Sequence, residues 1–140
     1  MHPRAFLFLT LFALGACASP PRALSYSAGW PDADVTVGQQ RYQLWFHDTD
    51  STVLIQRGEP LPLGQLVAWN MTINADERPA DEAVWRAAGN AVLMQIGCEV
   101  TDLRGDDRQR EATYACAPGV DIGEAVTRHR EQWRRGVWIE

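Results

Sequence analysis

Alternating apolar and polar residues between positions 35 and 56 constrain the fold of this chain most strongly. The pattern is clearest from Arg41 to His47, where every second side chain is apolar, as in a strand with one buried face. The apolar set is Tyr42, Leu44 and Phe46. A two-residue turn at Gly38-Gln39 and a polar turn at residues 48–51 divide the segment into three strands joined as hairpins.

The second hairpin has a predictable register. Its turn places Phe46 opposite Val53, Trp45 opposite Leu54 and Leu44 opposite Ile55. The Trp45–Leu54 pair then lies on the face opposite to the core. This predicts either a sheet that is covered on both faces or an exposed apolar patch, with Trp45 and Leu54 as interface residues.

The best helix pattern runs from Pro79 to Ile96. Pro79 suits the first turn, and Gly97 is a natural C-terminal cap. A broad apolar stripe faces the sheet, and its members are Val84, Ala87, Ala88, Ala91, Val92 and Ile96. On the same projection the residues predicted to face away are Arg86, Asn90 and Leu93.

Residues 98–103 and 111–116 predict a second hairpin. Pairing Cys98 with Cys116 places Val100 opposite Tyr114 and Asp102 opposite Ala112. The turn between these strands contains the tripeptide Arg104-Gly105-Asp106. A second helix is predicted over 121–135, and the apolar tail 137–139 adds an edge strand or packs on the core.

With a further alternating segment at 65–74, these elements predict an α+β fold. We expect an antiparallel sheet of four or five strands, with the main helix packed on one face and a second helix near the C-terminus. The chain has six tryptophans, of which most are expected in the core and one or two exposed.

The first nineteen residues resemble the signal peptide of bacterial lipoproteins. A short uncharged apolar segment, too short to cross a bilayer as a helix, ends in the run Leu14-Gly15-Ala16-Cys17. In that family the cysteine receives a lipid and the leader is cut just before it. Because Ala16-Cys17-Ala18 also satisfies an A-x-A cleavage site, an ordinary secretory leader is the alternative.

The resemblance implies where the protein is located in the cell. We expect a signal peptide at 1–16, a mobile tether at 17–32 in which Trp30 marks where it docks, and one α+β domain at 33–140. Lipidation of Cys17, with palmitate-type chains, would anchor the protein in the cell envelope. Ala18 in place of aspartate favours, by resemblance, the outer membrane facing the periplasm.

Cys98 and Cys116 remain once Cys17 is lipidated. An even pair in an oxidising compartment predicts a disulfide, and a metal pair or a catalytic thiol is the alternative.

Charge excludes several kinds of function. The net charge is −5, and the mature chain would hold 12 arginines against 18 acidic residues, so we expect no nucleic-acid binding. The chain contains no lysine, which excludes Schiff-base chemistry and a phosphate-loop lysine. We expect no cofactor.

His47, Asp48 and Asp50 form the one tight cluster of a base with carboxylates. They could serve as an acid/base pair or a weak cation site, but a polar hairpin turn is the simpler interpretation. His129 lies on an apolar stripe one turn before Trp133 and is expected to be a half-buried structural histidine. We therefore predict no catalytic and no metal-binding residues.

Three hypotheses for function follow. The first is a non-catalytic envelope lipoprotein that binds a protein partner or supports an envelope assembly. The second is an inhibitor or immunity-type protective lipoprotein, whose acidity suits a basic target enzyme. The third is a small periplasmic enzyme that uses His47 and the nearby carboxylates.

Overall fold

A computed structural model describes residues 25–26, 29–58 and 82–140. The strands are β1 (Ala33–Val37), β2 (Gln40–Phe46), β3 (Thr52–Arg57), β4 (Cys98–Gly105), β5 (Gln109–Cys116) and β6 (Val137–Ile139). The helices are α1 (Glu82–Leu93), which continues as a 3₁₀ turn over Met94–Ile96, and α2 (Ile122–Arg135). The leader, Cys17 and the strand expected at 65–74 lie outside the described residues. No helix of the described residues is long and apolar enough to cross a membrane.

The described strands form one mixed sheet in the order β4-β5-β3-β2-β1-β6. The α+β class is confirmed, but the expectation of a wholly antiparallel sheet of four or five strands is wrong. The difference is the tail, since β6 pairs with β1 in parallel, with Val35 beside Val137. Helix α2 runs antiparallel to β1 and ends beside the start of β1. The chain therefore enters β6 from the same end of the sheet as β1, and β6 runs parallel to β1.

The hairpin β2–β3 has the predicted register. Phe46 pairs with Val53, Trp45 with Leu54 and Leu44 with Ile55. At Gly38 a φ of +59° supplies the left-handed residue that the β1–β2 turn requires.

In the β4–β5 hairpin the register is only partly as predicted. Cys98 pairs with Cys116 and Val100 with Tyr114, but a bulge between Val100 and Asp102 shifts the rest by one residue. Asp102 therefore lies opposite Thr113, so its predicted pairing with Ala112 is wrong. Leu103 takes that place and packs against the core, because an inserted residue moves the following side chains to the other face.

Both helices contribute to one hydrophobic core on one face of the sheet. Its fully buried large side chains include Tyr42, Leu44, Ile55, Trp85 and Trp133. Helix α2 starts at an N-cap, Asp121, whose carboxylate accepts a hydrogen bond from the Glu124 N–H at 2.9 Å.

Helix α1 is rotated slightly from the predicted orientation. Its buried positions are Trp85, Ala88, Gly89, Val92 and Leu93, so the prediction that Leu93 faces away is wrong. Arg86 and Asn90 do not simply face solvent either. The Arg86 guanidinium donates to the Val100 carbonyl at 2.9 Å, and the Asn90 side-chain oxygen accepts from the Val100 N–H at 2.8 Å. These two bonds satisfy the backbone of β4 at the edge of the described sheet.

A disulfide joins Cys98 to Cys116, as predicted, with an S–S distance of 2.04 Å. It closes the base of the β4–β5 hairpin, next to Gly97, whose φ of +79° ends the α1 segment in the predicted cap. At the other end of the hairpin, the Asp106 carboxylate accepts from the N–H groups of Arg108 and Gln109. These bonds lower the pKa of Asp106 and hold the turn that it begins. Arg104 and Gly105 are the last residues of β4 and pair with Glu111 and Arg110, so the prediction that the whole tripeptide at 104–106 forms a turn is wrong.

Candidate functional site

His47 uses one ring nitrogen to hold the turn that follows β2. Its Nδ1 accepts hydrogen bonds from the backbone N–H of Asp50 at 3.0 Å and of Thr49 at 3.3 Å. Because Nδ1 is an acceptor, the neutral ring carries its proton on Nε2. The Tyr26 ring packs edge-on against His47 with 5.0 Å between ring centroids. These contacts agree with the polar-turn interpretation.

The same turn lines a cavity of about 260 Å³ between the end of β2 and the start of α2. His47, Asp48 and Asp50 all line it, as do Ser51 and Thr127. The structure therefore brings the cluster predicted from sequence into one concavity. The Asp50 carboxylate lies 3.9 Å from Nδ1, which is the nitrogen already engaged by the turn.

His129 and the cysteines occupy structural positions. His129 is half-buried as predicted, stacks on Trp133 with 5.2 Å between ring centroids, and its Nδ1 lies 2.9 Å from the Ala125 carbonyl oxygen. Cys98 and Cys116 are oxidised in the disulfide. Within residues 25–26, 29–58 and 82–140, no group of three or more His, Cys, Asp or Glu side chains is placed to hold a metal ion.

The predicted interface pair lies on the outer face of the sheet, opposite to the core. Leu54 is buried there at 5% exposure, and Trp45 is half-buried with its indole N–H donating to the Gly29 carbonyl at 3.0 Å. The interface role of Trp45 and Leu54 stays a prediction. The exposed large apolar side chains of the described chain are Trp30 (85%), Met94 (67%) and Trp138 (66%).

Trp30 belongs to residues 29–32, which we call the pre-strand segment. This segment is hydrogen-bonded to the domain at each residue. Trp45 binds the Gly29 carbonyl, and the Arg134 guanidinium donates to the carbonyls of Pro31 at 2.7 Å and Trp30 at 3.5 Å. The Asp32 N–H extends the β1–β2 ladder by donating to the Leu44 carbonyl at 2.8 Å.

The Asp32 carboxylate adds the strongest attachment of the segment. It accepts from the Arg130 Nε at 2.7 Å and from the Phe46 N–H at 2.9 Å, and its side chain is only 13% exposed. Arg130 and Arg134 lie one turn apart on α2, so two arginines of a single helix face bind the segment. The backbone around Trp30 is therefore fixed while its side chain projects into solvent.

Beside Trp30 lies a groove of about 460 Å³, which we call the Trp30 groove. Its lining is Trp30, Pro31, Asp34, Arg41, Gln43 and Arg134. This volume falls within the range of about 300–1,000 Å³ that is common for small-molecule sites. The cavity at His47 is smaller than that range.

The polar floor of the Trp30 groove is ordered by an ion pair. The Arg41 Nε donates to both carboxylate oxygens of Asp34, at 2.8 and 2.7 Å, and Arg41 also forms a salt bridge with the same group. A two-pronged contact of this kind fixes the planes of both groups. Gln43, by contrast, has no side-chain hydrogen bond to any described residue, so its amide offers both a donor and an acceptor to the groove.

The sequence signalled the exposed tryptophans but not this groove. The sequence predicts Trp30 only as a docking point of the tether. Of the five tryptophans in the described residues, Trp30 and Trp138 are exposed, and Trp69 lies outside those residues. The groove forms because Arg134 on α2 meets a segment about a hundred residues earlier in the chain. No periodicity in the sequence records such a contact.

No family model, no curated protein and no solved structure matches this chain. Function is therefore inferred from the chain's own residues.

Proposed function

We propose that this protein is a lipid-anchored lipoprotein of the bacterial envelope whose domain is a non-catalytic binding module. The observation that carries the proposal is Trp30, which is 85% exposed on a backbone held at every residue of the pre-strand segment. A large aromatic side chain presented on a fixed backbone loses little conformational entropy on binding, which is why tryptophan so often anchors interfaces.

The anchor is supported by the sequence at Leu14 to Cys17, and the attachment point lies close to the binding surface. Trp30 lies thirteen positions after Cys17 in the sequence. A fully extended chain of that length reaches at most about 47 Å. A domain on such a tether stays near the membrane surface and meets envelope components there.

Membrane fractionation of Cys17→Ser cells tests the anchor. The wild-type protein is expected in the membrane fraction and in the detergent phase after phase separation. The variant, which offers no thiol for lipid attachment, is expected as a precursor or in the soluble periplasmic fraction. Wild-type protein that is released by washing with salt alone would contradict the anchor.

Photo-crosslinking in intact cells tests the binding module. A photoreactive amino acid at position 30 is expected to give a discrete adduct. Met94, which is also exposed and apolar but lies at the end of α1, is the matched control position. Adducts that are equal at both positions would show that neither surface is specific. A basic envelope hydrolase captured at position 30 would assign the protein to the protective-inhibitor class.

A second candidate function rests on the cavity at His47. His47, Asp48 and Asp50 line it together with four hydroxyl side chains, which is a donor and acceptor set that an acid/base enzyme could use. To test it, the wild type and the variants His47→Ala and Asp48→Asn are screened for turnover of envelope esters and glycosides. Identical turnover by wild type and both variants would remove this candidate.

A further inference from the structure

We infer that the Trp30 groove binds a sugar chain that carries carboxylate groups. The inference rests on the proposed binding module and adds the chemical class of its ligand. Three properties of the groove point to it: an aromatic wall, a floor of mixed hydrogen-bonding groups and a local excess of positive charge.

The aromatic wall is the indole of Trp30. A pyranose ring has a face of C–H groups that packs on an aromatic ring while its hydroxyl groups remain at the edge. Trp30 provides such a face at the rim of the groove and is held in place by Arg134 and Trp45 through the backbone. Pro31 extends the apolar surface beside it.

The floor matches the hydroxyl groups of a sugar. Each hydroxyl both donates and accepts, so a site for sugars needs both kinds of partner. Gln43 supplies a donor and an acceptor, Asp34 supplies acceptors and Arg134 supplies donors. The Asp34–Arg41 ion pair orients these groups before a ligand arrives, which lowers the entropic cost of binding.

The charge of the groove favours an acidic ligand. Arg134 binds only backbone carbonyls and forms no ion pair with a described residue, so its guanidinium charge is uncompensated, in a protein whose total is −5. A guanidinium carries five N–H donors, so Arg134 can hold the Pro31 carbonyl and still donate to a carboxylate. An acidic glycan is thus attracted to Arg134 in this groove.

Trp138 lies on the same face of the sheet as the floor of the groove. Its register partner is Thr36 on β1, next to Asp34 in that face, and it is 66% exposed. Its indole packs over Gly136, where an added Cβ would lie 3.1 Å from Nε1. A sugar chain that leaves the groove along β1 meets this second aromatic ring.

Two sources of carboxylate-bearing glycan exist in an envelope, and co-sedimentation separates them. The full chain with Cys17→Ser, which carries no lipid anchor, is mixed without detergent either with purified cell-wall sacculi or with vesicles that contain lipopolysaccharide, and every further variant is made in this background. We expect binding to at least one of them, with a loss of about tenfold or more in Trp30→Ala and a smaller loss in Arg134→Gln. Trp30→Phe is expected to retain part of the binding, and Met94→Ala all of it.

The outcomes separate this inference from the proposed function. No binding to either glycan, or equal binding by wild type and Trp30→Ala at unchanged thermal stability, overturns the sugar site. Equal Trp30-dependent binding to phospholipid vesicles without lipopolysaccharide also overturns it, in favour of a lipid surface. A protein adduct from position 30 without glycan binding overturns the sugar site alone and leaves the binding module intact.

Discussion

Gly89 on α1 marks the closest approach of this helix to the sheet, and replacing it with alanine tests how tightly the core is packed. A Cβ at this position would lie 2.8 Å from Val100 Cγ2 and 3.3 Å from Ile55 Cδ1. Val100 cannot move easily, because Arg86 and Asn90 hold its carbonyl and N–H. In an open helix the same change would stabilise the protein by about 1 kcal/mol.

Overpacking a core of this kind costs about 1–3 kcal/mol. The gain in helix propensity opposes the loss from overpacking. The loss is the larger of the two here, because both contacts of the added Cβ are shorter than ordinary van der Waals contact. We therefore expect Gly89→Ala to lower the free energy of unfolding by up to about 2 kcal/mol. Urea denaturation followed by circular dichroism measures this quantity.

Gly123→Ala is the matched control. Gly123 lies in the first turn of α2, and its nearest neighbour would be Asp121 Oδ1 at 3.5 Å, an ordinary contact. The control should stabilise the protein by about 0.5–1 kcal/mol. If Gly89→Ala is as stabilising as Gly123→Ala, α1 does not lie against β3 and β4 as described, and the reasoning is refuted.

Four further predictions concern buried tyrosine hydroxyls and the disulfide. The Tyr42 hydroxyl is buried without a hydrogen-bond partner, so Tyr42→Phe should leave stability unchanged or raise it by up to about 1 kcal/mol. Tyr26→Phe should instead lower stability by about 1–2 kcal/mol, because the Tyr26 hydroxyl lies 2.8 Å from Thr52 Oγ1 and 2.9 Å from Glu111 Oε2. A melting temperature that is lower for Tyr42→Phe than for Tyr26→Phe would contradict both assignments. Burial raises the pKa of Tyr114 to about 12, so the folded state keeps a proton that the unfolded state loses above pH 10. Stability should therefore fall by up to about 3 kcal/mol from pH 10 to pH 12, and denaturation curves of Tyr114→Phe should lack most of that fall. The Cys98–Cys116 disulfide, with a sequence separation of 18, should contribute about 3 kcal/mol, so a double replacement by alanine that leaves the denaturation midpoint unchanged would refute this role.

Local patterns were sufficient to predict the hairpins. The alternation around Leu44 and the polar turn at residues 48–51 fix the β2–β3 register, because both signals lie within a few residues of the pairing they determine. The cap at Asp121 and the end at Gly97 are equally local. The same reasoning located the Cys98–Cys116 pairing.

The orientation of α1 was harder to predict, because Gly89 has no side chain and so gives no hydrophobic signal. The apolar pattern of the sequence therefore predicts that the face with the alanines is buried, whereas the structure buries the face with Trp85, Gly89 and Leu93. The bulge after Val100 was not predicted for a related reason. The residues around the bulge are polar, so a register shift of one residue breaks no pair of apolar residues that the sequence would reveal.

The Trp30 groove could not be predicted from sequence at all. Its wall and its floor come from the pre-strand segment, from β1 and β2 and from the far end of α2. What assembles them is the binding of Arg130 and Arg134 to residues 30–32. A contact between such distant parts of the chain follows from tertiary packing, which no local pattern encodes.

The central claim is that this domain is presented from a membrane by a lipid on Cys17. Mass spectrometry of the N-terminal peptide of the mature protein tests it most directly. The account predicts a peptide that begins at Cys17 and carries the added mass of acyl chains. An unmodified peptide that begins at Ser19, as cleavage after Ala16-Cys17-Ala18 would produce, contradicts it.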